Sequence, residues 1–578
     1  MFPLAVKFLL WGFVAVNVVA SFGVPVNEFD DAIPLVHGIL VQQGRTPHLD
    51  FSYFYPPLGL YLNAASFHLL GRSVVATRVV NAVFYIMVLL LAGRFLRSRF
   101  PQFRVVVPAA VLVLAASIGA AVNLPVWPGF ATSLAALLTY LCFLADIDRR
   151  RYILAASGVL TAVAFLYRLN FGAYVAAVVV FDMLLQWCFA GQERGTPAHL
   201  KKSLRDLFIY AGPLVFCIAG FCLLLYGSNI AAAVSEFTVK THTVMQQRGF
   251  MNFVFSANLT IALTLPACWF VFRILEGEEV FPPKSLIPVA IALLLFGVAM
   301  AGRNRPVIVG ILVILQLGAV LFLHIVVHRL ERSEFCVLAF SCCVFHYFIS
   351  RADWSHWRVL PAVDAILLSF LVISRPEKAN SPGSSISKGT SMAVLLAAAF
   401  LLLATVEYRP SPNHLRSGAK VIASLAAQPH LSDTDRLFGP DRELWAALYP
   451  YANELRALHY VRERTGSTDP IFVGVQDHSR VFYNNLRLYW LAGRPIGTRV
   501  FQLETRVATE VAVQTKIIED LERNGVNWII IDCQPVPGDE TFLAAAYVGS
   551  NLLDKYIASH YRENARYGQY AVLTRTKT

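Results

Sequence analysis

The sequence predicts a polytopic α-helical membrane protein with a C-terminal α/β domain outside the bilayer, and three observations predict it. Of the 578 residues, 56% are hydrophobic and only 15% charged, against roughly 25% charged in soluble domains. Apolar runs near the ~20 residues that cross a bilayer recur through residues 1–408. Beyond them the chain changes character: residues 409–578 hold 20 Lys and Arg against 18 Asp and Glu, so most of the net +12 lies among the apolar runs. A soluble enzyme is excluded, because this much apolar surface cannot all be packed away from water. With 34 Gly, 29 Pro and 9 Cys, collagen-like, disordered and disulfide-scaffold classes are excluded too.

Taken in order, thirteen spans are expected near 4–23, 74–96, 105–123, 130–146, 152–167, 171–190, 207–227, 253–273, 285–301, 307–327, 334–349, 357–374 and 391–407. The first, with Lys7 and Val-Val-Ala before Ser21, has signal-peptide features but is read as a retained helix. Eighteen basic residues fall on one alternate set of loops and eight on the other. The richer set is cytoplasmic by the positive-inside rule. That puts the N-terminus in the cytoplasm and, after an odd number of spans, the 409–578 domain outside it. Basic residues spread between spans mark membrane sidedness, which argues against a nucleic-acid partner. Eight of the nine Cys lie in apolar runs as small hydrophobes, leaving Cys533 alone in the tail.

In that tail Pro470–Val475 and Trp528–Ile531 read as buried strands, Tyr570–Leu573 as a further strand, and Glu510–Arg523 as a helix stopped by Asn524-Gly525. Segment 375–390 is a linker. No Walker A, GxSxG, HExxH or Rossmann glycine pattern occurs, which argues against an ATP-driven pump, a hydrolase and a nucleotide-sugar enzyme.

The longest polar interruption of the membrane part, 23–73, is expected outside. It places Glu28, Asp30 and Asp31 directly after the first span, and carboxylates held at a membrane boundary are costly enough to suggest a task. Asp50 is either loop-ordering, acceptor-positioning or a cap on the following turn. Tyr53, Tyr55, Trp127, Trp354 and Trp357 read as interfacial aromatics. Pro56-Pro57 leads into Leu58–Leu70, too short to span and read as an interfacial helix.

The acidic pair, the Gly44-x-x-Pro47-x-x-Asp50-Phe51 stretch and the Pro56-Pro57-Leu58-x-x-Tyr61 helix resemble the first external loop of GT-C glycosyltransferases. The likeness is to the bacterial branch near the aminoarabinose transferase and the protein O-mannosyltransferases (glycosyltransferase family 39-like). Arg168-x-x-x-Gly172-x-Tyr174 and Arg351-x-Asp353-x-x-His356 are similar to later segments of that branch. Many relatives have Asp-Glu where this chain has Asp30-Asp31.

The resemblance implies a GT-C-like catalytic domain over 1–408, in the cytoplasmic membrane, and a periplasmic domain over 409–578. It implies an inverting transfer of a sugar from a polyprenyl-phosphate-linked donor to an extracytoplasmic acceptor. Phosphate is a good leaving group, so one carboxylate suffices as general base, and cations must hold the phosphate as its charge grows. The base is expected to be Asp30, with Asp31 second; Glu28, Asp50 and Tyr55 order the loop or position the acceptor. Arg351 and His356, then Arg168, Lys240 and Arg248, are the expected phosphate ligands. The three acidic residues could also hold a divalent cation, Mg or Mn. The competing reading is a transporter or lipid-linked-sugar flippase, which would need ionisable residues in mid-span; Asp182 and Asp364 are such residues.

Overall fold

The computed structural model describes residues 2–99, 107–108, 111–112, 114–115, 126–146, 151–194, 197–246, 332–333, 336–337, 339–340, 343–344, 411–428, 431–439, 441–504, 507–534 and 548–576. The membrane part holds α1 (Phe2–Phe22), α2 (Ala32–Gln42), α3 (Leu58–Leu70), α4 (Val74–Arg99), α5 (Trp127–Ala145), α6 (Arg151–Tyr167), α7 (Leu169–Arg194), α8 (Pro197–Tyr226) and α9 (Ile230–Gln246). The spans expected near 4–23, 74–96, 130–146, 152–167, 171–190 and 207–227 correspond to α1 and α4–α8. The span near 105–123 and the six from 253 to 407 fall outside the described residues, short fragments excepted. Among the described residues Val74–Ser98, Trp127–Ala145 and Lys201–Thr238 are long and apolar enough to cross a membrane.

Packing sorts these helices. The α5 helix is central: Trp127, Phe130 and Tyr140 are fully buried, among α4, α6 and α7. The α8 helix is peripheral, with Phe208 74%, Phe216 77% and Leu224 91% exposed. Large apolar side chains turned off the bundle suit lipid rather than water. The mid-span carboxylate Asp182 of α7 is buried and paired. Arg332 Nε donates to its two oxygens at 3.0 and 2.8 Å, Tyr140 Oη donates to Oδ2, and Arg332 Nη2 reaches Tyr140 Oη at 3.1 Å. Arg332 also forms the ion pair with Asp182, Nη2 to Oδ2 at 2.7 Å.

The tail adds α10 (Pro412–Ala427), α11 (Ala452–Arg464), β1 (Ile471–Val475), α12 (Arg487–Ala492), α13 (Val511–Arg523), β2 (Trp528–Asp532), α14 (Leu552–His560), β3 (Tyr561–Tyr567) and β4 (Tyr570–Arg575). The sheet order is β1-β2-β4-β3. The β1/β2 pair is parallel, Ile471 opposite Trp528 and Val475 opposite Asp532, with α13 in the crossover; β4 is antiparallel to both its neighbours. The three expected strands and the expected helix are present, and Gly525, at φ 59°, follows the helix end as a C-cap should.

The loop after α1 and the tail share one hydrophobic core. Val26, Leu35, Phe51 and Phe67 pack with Trp445, Leu458, Tyr489 and Trp490. Backbone bonds cross the same boundary: Val26 N to Leu448 O, Ser52 N to Arg499 O, and Asp433 N to Arg72 O. Asp433 in turn accepts from Val74 N at 2.8 Å, satisfying an N–H at the start of α4. The α1 and α10 backbones nearly touch. A Cβ on Gly418 would lie 1.9 Å from Val19 O, and one on Gly23 would lie 2.1 Å from His414 O, so only glycine permits this approach.

Candidate active site

The acidic loop begins as a closed turn. Asn27 Oδ1 accepts from the amides of Phe29 (2.8 Å) and Asp30 (2.7 Å), an Asx turn. Asp31 Oδ2 accepts from Asn27 N at 3.0 Å, locking the five residues together. The α2 helix starts at Ala32, yet the Asp31 side chain makes no cap bond; it turns back into the loop. Its carboxylate lies 3.7 Å from Arg78 Nη2, a residue only 3% exposed. Burial lifts the Asp31 carboxyl above its ordinary range, against the opposing pull of Arg78 and of the Asn27 amide. Asp30 is half-buried beside it.

Glu28 turns the other way, toward the tail. Its Oε1 accepts from Tyr483 Oη at 3.1 Å, and Phe29 stacks on the same tyrosine with ring centroids 4.9 Å apart. Glu28 O accepts from Arg487 N at 3.1 Å. Arg487 donates to Glu454 through Nε (2.7 Å) and Nη2 (2.6 Å), and through Nη1 to Val26 O. Arg487, at the start of α12, thus clamps the loop to the tail. Asp477-His478 also serves the fold, His478 Nδ1 meeting Asp554 at 2.6 Å. Because Glu28 faces Tyr483 while Asp31 faces Arg78, the three loop carboxylates do not converge as the divalent-cation expectation requires. Among the described residues no group of three His, Cys, Asp or Glu could hold a metal.

The loop continues through α2 to a second cluster. His37 of α2 packs against Tyr53 (4.9 Å) and Phe501 (4.7 Å), Tyr53 meets Tyr55 edge-on at 5.7 Å, and the Tyr55 ring carries the Arg168 guanidinium 4.4 Å from its centroid. Arg168 is the single residue between α6 and α7. Its N–H closes the first helix on Ala164 O and its carbonyl accepts from Phe171 N, opening the second. A Cβ on Gly172 would lie 2.5 Å from Phe165 N, which accounts for the glycine of that motif. Tyr53 is 7% and Trp127 0% exposed, so neither is the interfacial aromatic expected; both fill the protein interior, where Trp127 Nε1 donates to Asn81 O. Asp50 closes the turn before it, accepting from Thr46 N at 2.6 Å, rather than capping the one after.

Of the other expected ligands, Arg248, Arg351 and His356 lie outside the described residues, as do Trp354, Trp357 and Asp364. The Lys240 backbone lies in α9, which is helical as far as Gln246. Sequence reasoning missed Arg78. Its signal was an arginine one turn inside a span, costly there unless paired. It also missed a cavity of about 290 Å³ beyond the end of β2, whose walls include Glu28, Glu454, Asn485, Arg487 and Asp532.

No family model matches the chain, and no curated protein does. Among solved structures it is similar to the crystal structure of ArnT from Cupriavidus metallidurans bound to undecaprenyl phosphate, with a TM-score of 0.50 and 13% identity over 98% of both chains. The apo form of that protein gives 0.49 and 13%, covering 99% of this chain and 98% of that one. The archaeal oligosaccharyltransferase AglB from Archaeoglobus fulgidus, in complex with an inhibitory peptide and a dolichol-phosphate, gives 0.42 and 14%, covering 99% and 74%. The likeness to ArnT, nearly end to end, is one of architecture: the chain has the fold of the GT-C glycosyltransferases.

Proposed function

We propose that the protein is a membrane glycosyltransferase that moves a sugar from a polyprenyl-phosphate carrier to an extracytoplasmic acceptor with inversion. The observation that carries this reading is that one loop supplies both an acidic turn, Asn27–Asp31, and the aromatic seat of a cation, Tyr55 beneath Arg168. The ArnT structure of the same fold holds undecaprenyl phosphate, which supports the carrier class. In the proposed step the acceptor hydroxyl gives its proton to a carboxylate of the Asp30–Asp31 pair. Its oxygen attacks the anomeric carbon, and the bond to the phosphate oxygen breaks with its electron pair, releasing polyprenyl phosphate. A carboxyl raised by burial, as at Asp31, is a stronger proton acceptor than an exposed one. Arg168 receives the phosphate charge in a fork suited to two oxygens, and Arg351, His356, Lys240 and Arg248 remain proposed companions.

Among the described residues a transporter is disfavoured, because Asp182, the one of the two mid-span carboxylates that is described, is already tied to Arg332 and Tyr140. Native mass spectrometry of the purified protein tests the carrier assignment. Undecaprenyl phosphate should be retained at least ~10-fold better than undecaprenol, and Arg168→Ala should narrow that difference. Equal retention of the phosphate and the alcohol would refute it.

A further inference from the structure

The cavity beyond β2 has walls of mixed hydrogen-bonding character. Glu454 is saturated by Arg487, Asn485 Nδ2 and Tyr570 Oη. Asn485 is 2% exposed, and its Oδ1 has no hydrogen-bond partner among the described residues. A buried acceptor left without a donor is costly. Among the described residues the Asp532 carboxylate, at the carboxyl end of β2, accepts from Gln534 N (3.1 Å) and Gln569 Nε2 (3.2 Å), both on Oδ1 and toward the long end of the hydrogen-bond range. Its carboxyl is pushed up to about 6, chiefly by burial, with Glu454 and Glu28 adding to the rise.

Carboxamides supply the complementary donors: Asn453, Gln534 and Gln569 also line the space. At the mouth stands Tyr451, 38% exposed, with Arg487 already 3.8 Å from one side of its ring. A wall that offers acceptors and donors together matches a group that both donates and accepts, as a sugar hydroxyl does. An ammonium ion only donates and would leave the carboxamide N–H groups facing it. The volume, about 290 Å³, is at the low end for ligand pockets, on the order of 300 Å³, and suits one sugar ring. Ligands also favour the carboxyl ends of strands beside a parallel pair, which is where Asp532 ends β2.

We propose that this cavity, between the tail's sheet and the Glu28 loop, is a binding site for a single neutral sugar unit. The site lies where the tail meets the Glu28 loop, and the proposal stands or falls on binding, not on the transfer reaction. Saturation-transfer NMR on the full-length protein in detergent tests it, with the methyl glycosides of glucose, galactose, mannose, arabinose and N-acetylglucosamine as probes and glucosamine and methylammonium as amine controls. At least one neutral glycoside should show transfer. Its affinity should fall at least ~10-fold in Tyr451→Ala and in Gln534→Ala, both at partly or fully exposed positions, and stay unchanged in Asp30→Asn. Binding by no neutral glycoside, binding confined to the amines, or binding indifferent to both tail variants would overturn the proposal.

Discussion

Arg487 holds Glu454 with two nitrogens, at 2.7 and 2.6 Å, and reaches the Val26 carbonyl with the third. One guanidinium, 1% exposed, therefore fastens the C-terminal domain to the first loop, ahead of the acidic turn. Removing its partner strands a buried cation. Glu454→Ala should cost roughly 3–5 kcal/mol, read as a lowered unfolding temperature in detergent. The double change Glu454→Leu with Arg487→Met should cost less, because two like-sized apolar groups leave no orphaned charge.

The same fastening has a steric half in α1 and α10. Gly418→Ala would drive a methyl into Val19 O, a backbone atom that cannot swing aside. The expected loss is about 1–3 kcal/mol, with faster proteolytic release of the tail than in wild type.

Asp532 gives a pH signature with a definite sign. Its folded pKa, about 6, lies above the ordinary 3.8, so the folded state binds the extra proton between those values. Stability should thus be highest below about pH 4 as far as this group is concerned, and fall as pH rises through about 6. The full difference is roughly 3 kcal/mol. Asp532→Asn should flatten that segment of the stability–pH curve; an unchanged slope would remove the assignment.

Tyr55 seats Arg168 by a cation–π contact at 4.4 Å. Tyr55→Leu should leave the fold intact and weaken undecaprenyl phosphate binding by about 0.5–2 kcal/mol, measured by titration against the wild type.

Much of this architecture was legible in the residues. Ile471–Val475 and Trp528–Asp532 are short apolar runs between turn residues, and both are strands. The β3 strand was not legible, because Arg562, Glu563 and Asn564 are exposed on the sheet's edge and leave no apolar alternation to read. The α2 helix was hidden differently. Eleven residues cannot span a bilayer, and its apolar face is buried against tail residues more than 400 positions away, such as Phe501. The acidic turn could be picked out because Glu28, Asp30 and Asp31 follow a span. The Arg487–Glu454 clamp and the Arg78–Asp31 approach are products of tertiary packing, which no local pattern announces.

The central claim is that the first-loop carboxylates drive transfer from a lipid-phosphate carrier. Mass spectrometry of lipid-linked sugars, in membranes lacking the protein and in membranes re-supplied with it, tests this most directly. A polyprenyl-phosphate sugar should accumulate without the protein, be cleared by wild type, and be cleared at least ~100-fold more slowly by Asp30→Asn/Asp31→Asn. Clearance by the double variant at the wild-type rate, or no accumulating species at all, would contradict the account.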